Sequence, residues 1–343
     1  MDFSFQTLVR RHASQMDAAF RRLVDTILRS SDFNITLLRI SNVTEDSFHV
    51  TFEARMTNTG SVRASINPMT VELCGPSGHF GNLSLPAVTT RAEGTDIFVT
   101  SQLVKIVNKN ALSAFIQAMV QLGATLILRN GQTSITAVGI RPREMVFEKE
   151  IPLRGWEGPL VSVLVASLVT NPLRGSPSIA TLGAPRSATS TSDAGSSVIS
   201  VTFLMANPSP LEMSLGTCSF DIHDLEGRVL AELKGRLDVR RNLFETTFRG
   251  HANTAIAAGL ADDIRKAASE RGSTSAMSDP NSPMARFVGK RCVGAGWCDD
   301  AVKGIDVPLH NVRRILHALG VDDAVPGPER RDIFANWSDR LLR

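Results

Sequence analysis

The chain has 343 residues, with 37 Lys and Arg against 34 Asp and Glu, a formal net charge of +3 at pH 7. That length allows two or three domains, and 43% hydrophobic with 21% charged residues is the composition of a folded globular protein. So small a net charge excludes the dense basic footprint of a nucleic-acid-binding protein, and no apolar run approaches the roughly 20 residues that span a bilayer as a helix.

Residues 1–32 are expected to form an amphipathic helix. Phe5, Leu8, His12, Met16, Phe20, Leu23 and Ile27 recur at spacings of three and four, while Arg10, Arg11, Arg21, Arg22 and Arg29 sit mainly off that stripe. Such a helix either docks on the body of the protein or lies on an anionic membrane surface. In the second case Phe5, Leu8, Met16, Phe20 and Leu23 would meet the lipid, and Arg10, Arg11, Arg21 and Arg22 the headgroups. No signal-peptide pattern opens the chain, so the expectation is a soluble protein unless an anchor precedes it.

From Phe33 the period changes to two. Val50, Phe52, Ala54 and Met56 alternate with polar residues as in a half-buried strand. Val71 and Leu73 follow, then the turn Gly75-Pro76-Ser77-Gly78, then strands from Phe80 and from Asp96. A helix capped by Asn110 is predicted to bury Leu112, Phe115, Ile116 and Met119. Asn130-Gly131 predicts a hairpin between two short runs, because a type I′ turn needs positive φ at both positions. Residues 33–155 thus read as a first β-module.

Residues 156–310 repeat the plan. The apolar run from Leu160 to Val169 reads as a buried strand, and the Ser-, Gly- and Pro-rich stretch from Leu173 to Ser197 as a loop. Val201-Thr202-Phe203 then matches Val50-Thr51-Phe52, Asn207 matches Asn58, and Phe220-Asp221-Ile222 matches Val71-Glu72-Leu73, in the same order. A helix from Ala252 to Arg271 again follows the strands. Val307-Pro308-Leu309 closes the second module as Ile151-Pro152-Leu153 closes the first. The fold class expected is mainly β, two tandem sandwiches with one helix each. Residues 311–343 read as a helical tail, first from Asn311 to Gly320 and then through Ile333, Phe334, Trp337 and Leu341.

Little in the sequence carries chemistry. Cys74 and Cys218 lie in strand-like runs as small buried residues. Cys292 and Cys298, separated by a Gly-Ala-Gly turn and Trp297, could close a local disulfide in an oxidising compartment. The seven histidines form no metal-binding pair, and Gly294-Ala295-Gly296 is too short for a phosphate loop and leads to no helix cap. His223-Asp224 reads as a solvated hairpin tip, and Asp262 and Asp263 as an exposed helix face. No catalytic, cofactor-binding or metal site is assigned.

Ala206-Asn207-Pro208-Ser209-Pro210-Leu211, with Leu215-Gly216-Thr217 and Phe220-Asp221-Ile222, resembles the strand-pair signature of late-embryogenesis-abundant type 2 domains, also called water-stress-and-hypersensitive-response domains. Met56-Thr57-Asn58-Thr59-Gly60, Phe80-Gly81-Asn82-Leu83 and the Cys292 to Cys298 segment extend the likeness to a fungal family of tandem modules of unknown function. The resemblance implies an immunoglobulin-like β-sandwich with one helix and location on vacuolar, endomembrane or cell-surface membranes behind an N-terminal anchor, and it supplies no catalytic residues to carry over. The expectation for function is a non-enzymatic, membrane-associated protein that binds lipid or another apolar small molecule. The alternatives are a structural or adaptor protein with a protein partner and an isomerase- or cyclase-like enzyme that works on a hydrophobic substrate by positioning; the alternative location is the cytoplasm.

Overall fold

A computed structural model describes residues 30–60, 63–121, 123–137, 140–155, 161–169, 196–270 and 284–322. The stripe from Phe5 to Leu23, its arginines, and the tail from Ile333 to Leu341 lie outside the described residues, as does most of the stretch read as a loop from Leu173. The described chain is mainly β, in two sheets with four helices.

The first half contains β1 (Asp32–Ser41), β2 (Ser47–Thr57), β3 (Ala64–Ile66), β4 (Met69–Gly75), β5 (Gly78–Leu85), β6 (Val88–Thr89) and β7 (Thr95–Lys105). Helix α1 (Lys109–Gln121), β8 (Gly123–Ala137) and β9 (Ile140–Arg154) complete it. The second half contains β10 (Val161–Leu168), β11 (Ser196–Asn207), β12 (Leu211–Asp224), β13 (Val229–Val239) and β14 (Asn242–Asn253). Helix α2 (Thr254–Glu270), β15 (Ala285–Val293), α3 (Gly296–Lys303), β16 (Asp306–His310) and α4 (Arg313–Ala318) follow.

Alternation sets the strands. In β2 the even-numbered residues from Phe48 to Met56 are buried, and in β14 Phe244, Thr246 and Phe248 point inward. Helix α1 buries Leu112, Phe115, Ile116 and Met119 as predicted. Its cap is Asn108 rather than Asn110: the Asn108 carboxamide oxygen accepts the Ala111 N–H at 3.1 Å. Asn253 caps α2 in the same way, accepting from Ala255 and Ile256.

The predicted hairpin at Asn130-Gly131 is not formed. β8 runs through both residues as one strand, paired along its length with β9. Asn130 takes its left-handed conformation (φ 56°) inside a bulge between Leu128 and Gly131. Gly131 is needed for packing, since a Cβ there would stand 2.8 Å from both Met69 Sδ and Val71 Cγ1. The sequence signal for positive φ holds at Asn130 but not at Gly131, and a bulge uses it where a turn was expected.

The ten-stranded sheet runs β13-β14-β11-β10-β16-β15-β12-β1-β2-β7, and β13 also pairs with β12. That extra pairing closes the strands of the second half into a ring around Phe203, Phe220, Phe248 and Phe287, whose ring centroids lie 4.4–6.1 Å apart. The six-stranded sheet belongs to the first half: β5-β4-β8-β3-β6, with β9 on β8.

The halves meet through a short parallel pairing of β1 with β12, Leu38 opposite Leu211 and Ile40 opposite Met213. Glu212, almost fully buried, ties this joint together. Arg39 contacts it at 2.6 Å and Arg241 at 3.1 Å, and Arg241 also donates to the Thr36 carbonyl at 2.6 Å. Burial, the largest single influence, would raise the Glu212 pKa. The hydrogen bonds from Arg39 and Arg241 outweigh it and hold the carboxyl below its usual range.

Candidate functional site

The two cysteines singled out by spacing come together, and a third joins them. Cys292 on β15 is the cross-strand neighbour of Cys218 on β12, and Cys298 reaches the same place from α3. All four cysteines are buried and free in this structure. The Cys292 thiol donates to the Leu215 carbonyl at 3.0 Å. Cys218 and Cys298 are both shifted upward, first by hydrogen bonding to Cys292 and then by burial, which holds them as thiols. Sequence spacing could not show Cys218, because strand register brings it there.

Helix α3 was missed in the sequence. It starts at Gly296, within the Gly-Ala-Gly stretch that was read as leading to no helix, and no side chain of its own caps it. The cap comes from far away: Glu45 accepts the Gly296 N–H at 2.6 Å, where a carboxylate suits the helix dipole. The Trp297 indole N–H donates to the Thr44 carbonyl at 3.0 Å, and Ser113 of α1 donates to Asp300 at 2.8 Å. The turn between β1 and β2 and helix α1 therefore hold α3 against the first half.

Asp224, read as part of a solvated tip, is buried. It accepts from the backbone of Glu226 and Arg228 and from the Arg228 guanidinium at 2.5 Å, and so organises the turn from β12 to β13. Asp262 and Asp263 are exposed as expected. Among the described residues no group of three or more His, Cys, Asp or Glu is placed to hold a metal ion, and no helix is long and apolar enough to cross a membrane.

A void between α1 and β12 is lined by Met119, Val120, Leu211, Met213 and Leu215. Its volume is about 10 Å³. A second void, inside the first half beside Phe52 and Phe115, is equally small. Each is about the space one water needs.

The surface offers more. β7 is the last strand of its sheet and pairs with β2 on one side. On the other side β5 covers its C-terminal half: Val104 fills the space that a Cβ on Gly81 would take, and Gln102 accepts the Ser84 N–H at 3.3 Å. Residues 96–100 make no ladder pairing on that side among the described residues, and β6 reaches only the start of the strand, where the Thr95 hydroxyl donates to the Thr89 carbonyl at 2.8 Å. Ile97 and Val99 point into the core, whereas Phe98 points out and is 61% exposed. Leu103 and Val107 are also exposed further along. A strand edge with unpaired backbone groups beside an outward aromatic is a template for another strand.

Residues 78–222 match the family model described as "Protein of unknown function (DUF3712)". The match covers less than half of the chain. The DUF3712 segment begins at the first residue of β5 and ends within β12, so it spans the joint between the halves and coincides with neither. No curated protein matches the chain. Among solved structures, a bacterial adhesin from Mobiluncus mulieris with intramolecular disulfide, isopeptide and ester cross-links is 10% identical, covers 64% of this chain and 76% of its own, and has a TM-score of 0.17. The calcium binding domain CBD12 of CALX1.1 is 9% identical, covers 72% and 89%, and also scores 0.17. At such scores neither likeness carries an argument.

Proposed function

We propose that the protein is a non-enzymatic structural or adaptor protein that recruits a protein partner by strand addition at residues 96–100 of β7. Phe98 serves as the side-chain anchor. The supporting observation is the open half of β7 with an exposed aromatic at its centre. Main-chain hydrogen bonds would supply affinity, and the pocket that receives Phe98 would supply specificity.

The alternative of a lipid carried in the interior gains no support from the voids, since about 10 Å³ leaves no room for an acyl chain. A membrane-associated location rests on the family resemblance and on residues 1–32, of which all but Ser30, Ser31 and Asp32 lie outside the described residues.

We also propose that the two halves are copies of one immunoglobulin-like module of the late-embryogenesis-abundant type 2 kind. The strand order supports this. β1-β2-β7 precedes α1, and β10-β11-β14 precedes α2. The β4–β5 hairpin pairs with β8, and the β12–β13 hairpin with β15. The signature around Asn207 also has a structural use: Asn207 donates to the carbonyls of Leu211 and Arg240 and accepts the Ser209 N–H.

A photo-crosslinking residue at position 98 tests the main proposal in cells. One crosslinked protein, lost when Thr100→Pro blocks the edge, is the expected result. A monodisperse monomer with no crosslinked partner would overturn it.

A further inference from the structure

The second half presents a charged outer face whose layout follows from register. Ser219 on β12 is the cross-strand neighbour of Arg291 on β15 and of Lys234 on β13, and Lys234 is the neighbour of Arg249 on β14. Three cations therefore stand in one row across four strands, with the Ser219 hydroxyl among them. Adjacent strands lie roughly 4.8 Å apart, so Lys234 and Arg249 are directly opposed like charges, an arrangement that destabilises a sheet.

Among the described residues, no carboxylate forms a salt bridge with Lys234, Arg249 or Arg291. Lys290, by contrast, is held by Asp221 at 2.9 Å. The face is also concave: Lys234, Arg249, Lys290 and Arg291, together with the carboxylates Asp221 and Glu232, line a depression of about 640 Å³. Four cations, Lys234, Arg249, Lys290 and Arg291, stand there against two carboxylates, one of them already held by Lys290, so the depression keeps a net positive charge that is complementary to an anion from outside.

The neighbouring row narrows the choice. Asp221 opposes Glu232, and Glu232 opposes His251. A continuous negative surface such as a bilayer would press against the exposed Glu232 carboxylate, whereas Asp221 is buried and held by Lys290. A discrete anion lying along the cationic row avoids Glu232. That row spans three strand spacings, on the order of 14 Å, which suits several linked phosphates better than one.

We propose that this depression binds a small, soluble anion with two or more linked phosphates. Arg291, Lys234 and Arg249 grip it through charge-assisted hydrogen bonds, with Ser219 as a further donor. The site lies on the second half and does not depend on strand addition at β7.

Isothermal titration calorimetry of the full chain with inorganic pyrophosphate and tripolyphosphate tests it. Binding should weaken as salt is raised. The Lys234→Gln/Arg249→Gln double variant should bind at least about tenfold more weakly, the loss expected when charged hydrogen bonds are removed. Lys105→Gln, far away on β7, should bind as the wild type does. Removing the opposed charges should also leave the low-salt melting temperature of the double variant equal to or above that of the wild type. A fall would overturn the premise that the pair is unsatisfied. No binding of either anion, or equal binding by the double variant, would overturn the proposal. So would co-sedimentation with phosphatidylserine vesicles without pyrophosphate binding, since that assigns the face to a membrane.

Discussion

The strips β1-β2-β7 and β10-β11-β14 are each three antiparallel strands followed by a helix, yet they end differently. β14 continues to β13, Ala231 opposite Ala252 through Gly235 opposite Phe248, and the second half closes on itself. β7 has no further strand paired to it among the described residues. Two glycines account for the closure. A Cβ at Gly250 would stand 1.8 Å from the Glu232 carbonyl oxygen, and one at Gly235 would stand 2.6 Å from the Thr247 carbonyl oxygen. Each strand gives up a side chain where the backbones meet. In β7 the register slips opposite Val50 and Phe52, and Ser101 turns to φ 47° so that its N–H reaches the Thr51 hydroxyl at 3.2 Å. β5 packs over what remains. Closure depends on local backbone access, and the half that lacks it keeps an edge available.

The largest effect should come from the core of the closed half. Phe248 is fully buried against Phe203, Phe220 and Phe287. Phe248→Ala should cost about 3–5 kcal/mol in urea unfolding. Amide exchange should rise in β11 to β15 before β4 and β8; a uniform rise across both halves would show that closure does not make the second half a separate unit. Gly250→Ala tests the closure itself. Its new Cβ meets backbone rather than a flexible side chain, so about 1–3 kcal/mol or more is expected, with protection lost at Ala231 to Gly235. An unchanged stability would mean that the β13–β14 contact is not what closes the ring.

The joint between the halves should be sensitive to acid. Glu212 has its folded-state pKa lowered below the ordinary value of 4.5, so its contribution is fully present above that value and is lost as pH falls through the lower folded value. Stability should therefore drop below about pH 4.5, and Glu212→Gln should flatten that slope while lowering stability at neutral pH. An identical acid profile for the variant would remove Glu212 from the explanation.

Periodicity made most strands legible, because β2 and α1 bury one face each and their residues say which. What failed had non-local causes. Asn130-Gly131 announces positive φ but not whether a turn or a bulge will use it; β9 pairing on both sides of the bulge decides that. Helix α3 has only eight residues and borrows its cap from Glu45, far away in sequence. Asp224 looks like a turn residue from its neighbours, and only the fold shows that Arg228 covers it. The cysteine pair was visible from spacing, whereas Cys218 needed the register of β12 with β15. Likewise the cationic row exists only after β15, β12, β13 and β14 are laid side by side.

The smallest effect on stability belongs to the open edge, which makes it the sharpest functional test. Phe98 is mostly exposed, and its strand neighbours Ile97 and Val99 carry the core contacts. Phe98→Lys should change unfolding free energy by no more than about 0.5 kcal/mol, as for a surface position. It also places a charge where edges are commonly protected from strand addition. Partner capture should therefore disappear while the melting curve stays where it was. If capture and stability fall together, Phe98 is holding the first half together and the edge is not the docking site. If capture is unaffected, recruitment lies elsewhere on the surface, and the difference between the open and the closed half is one of folding alone.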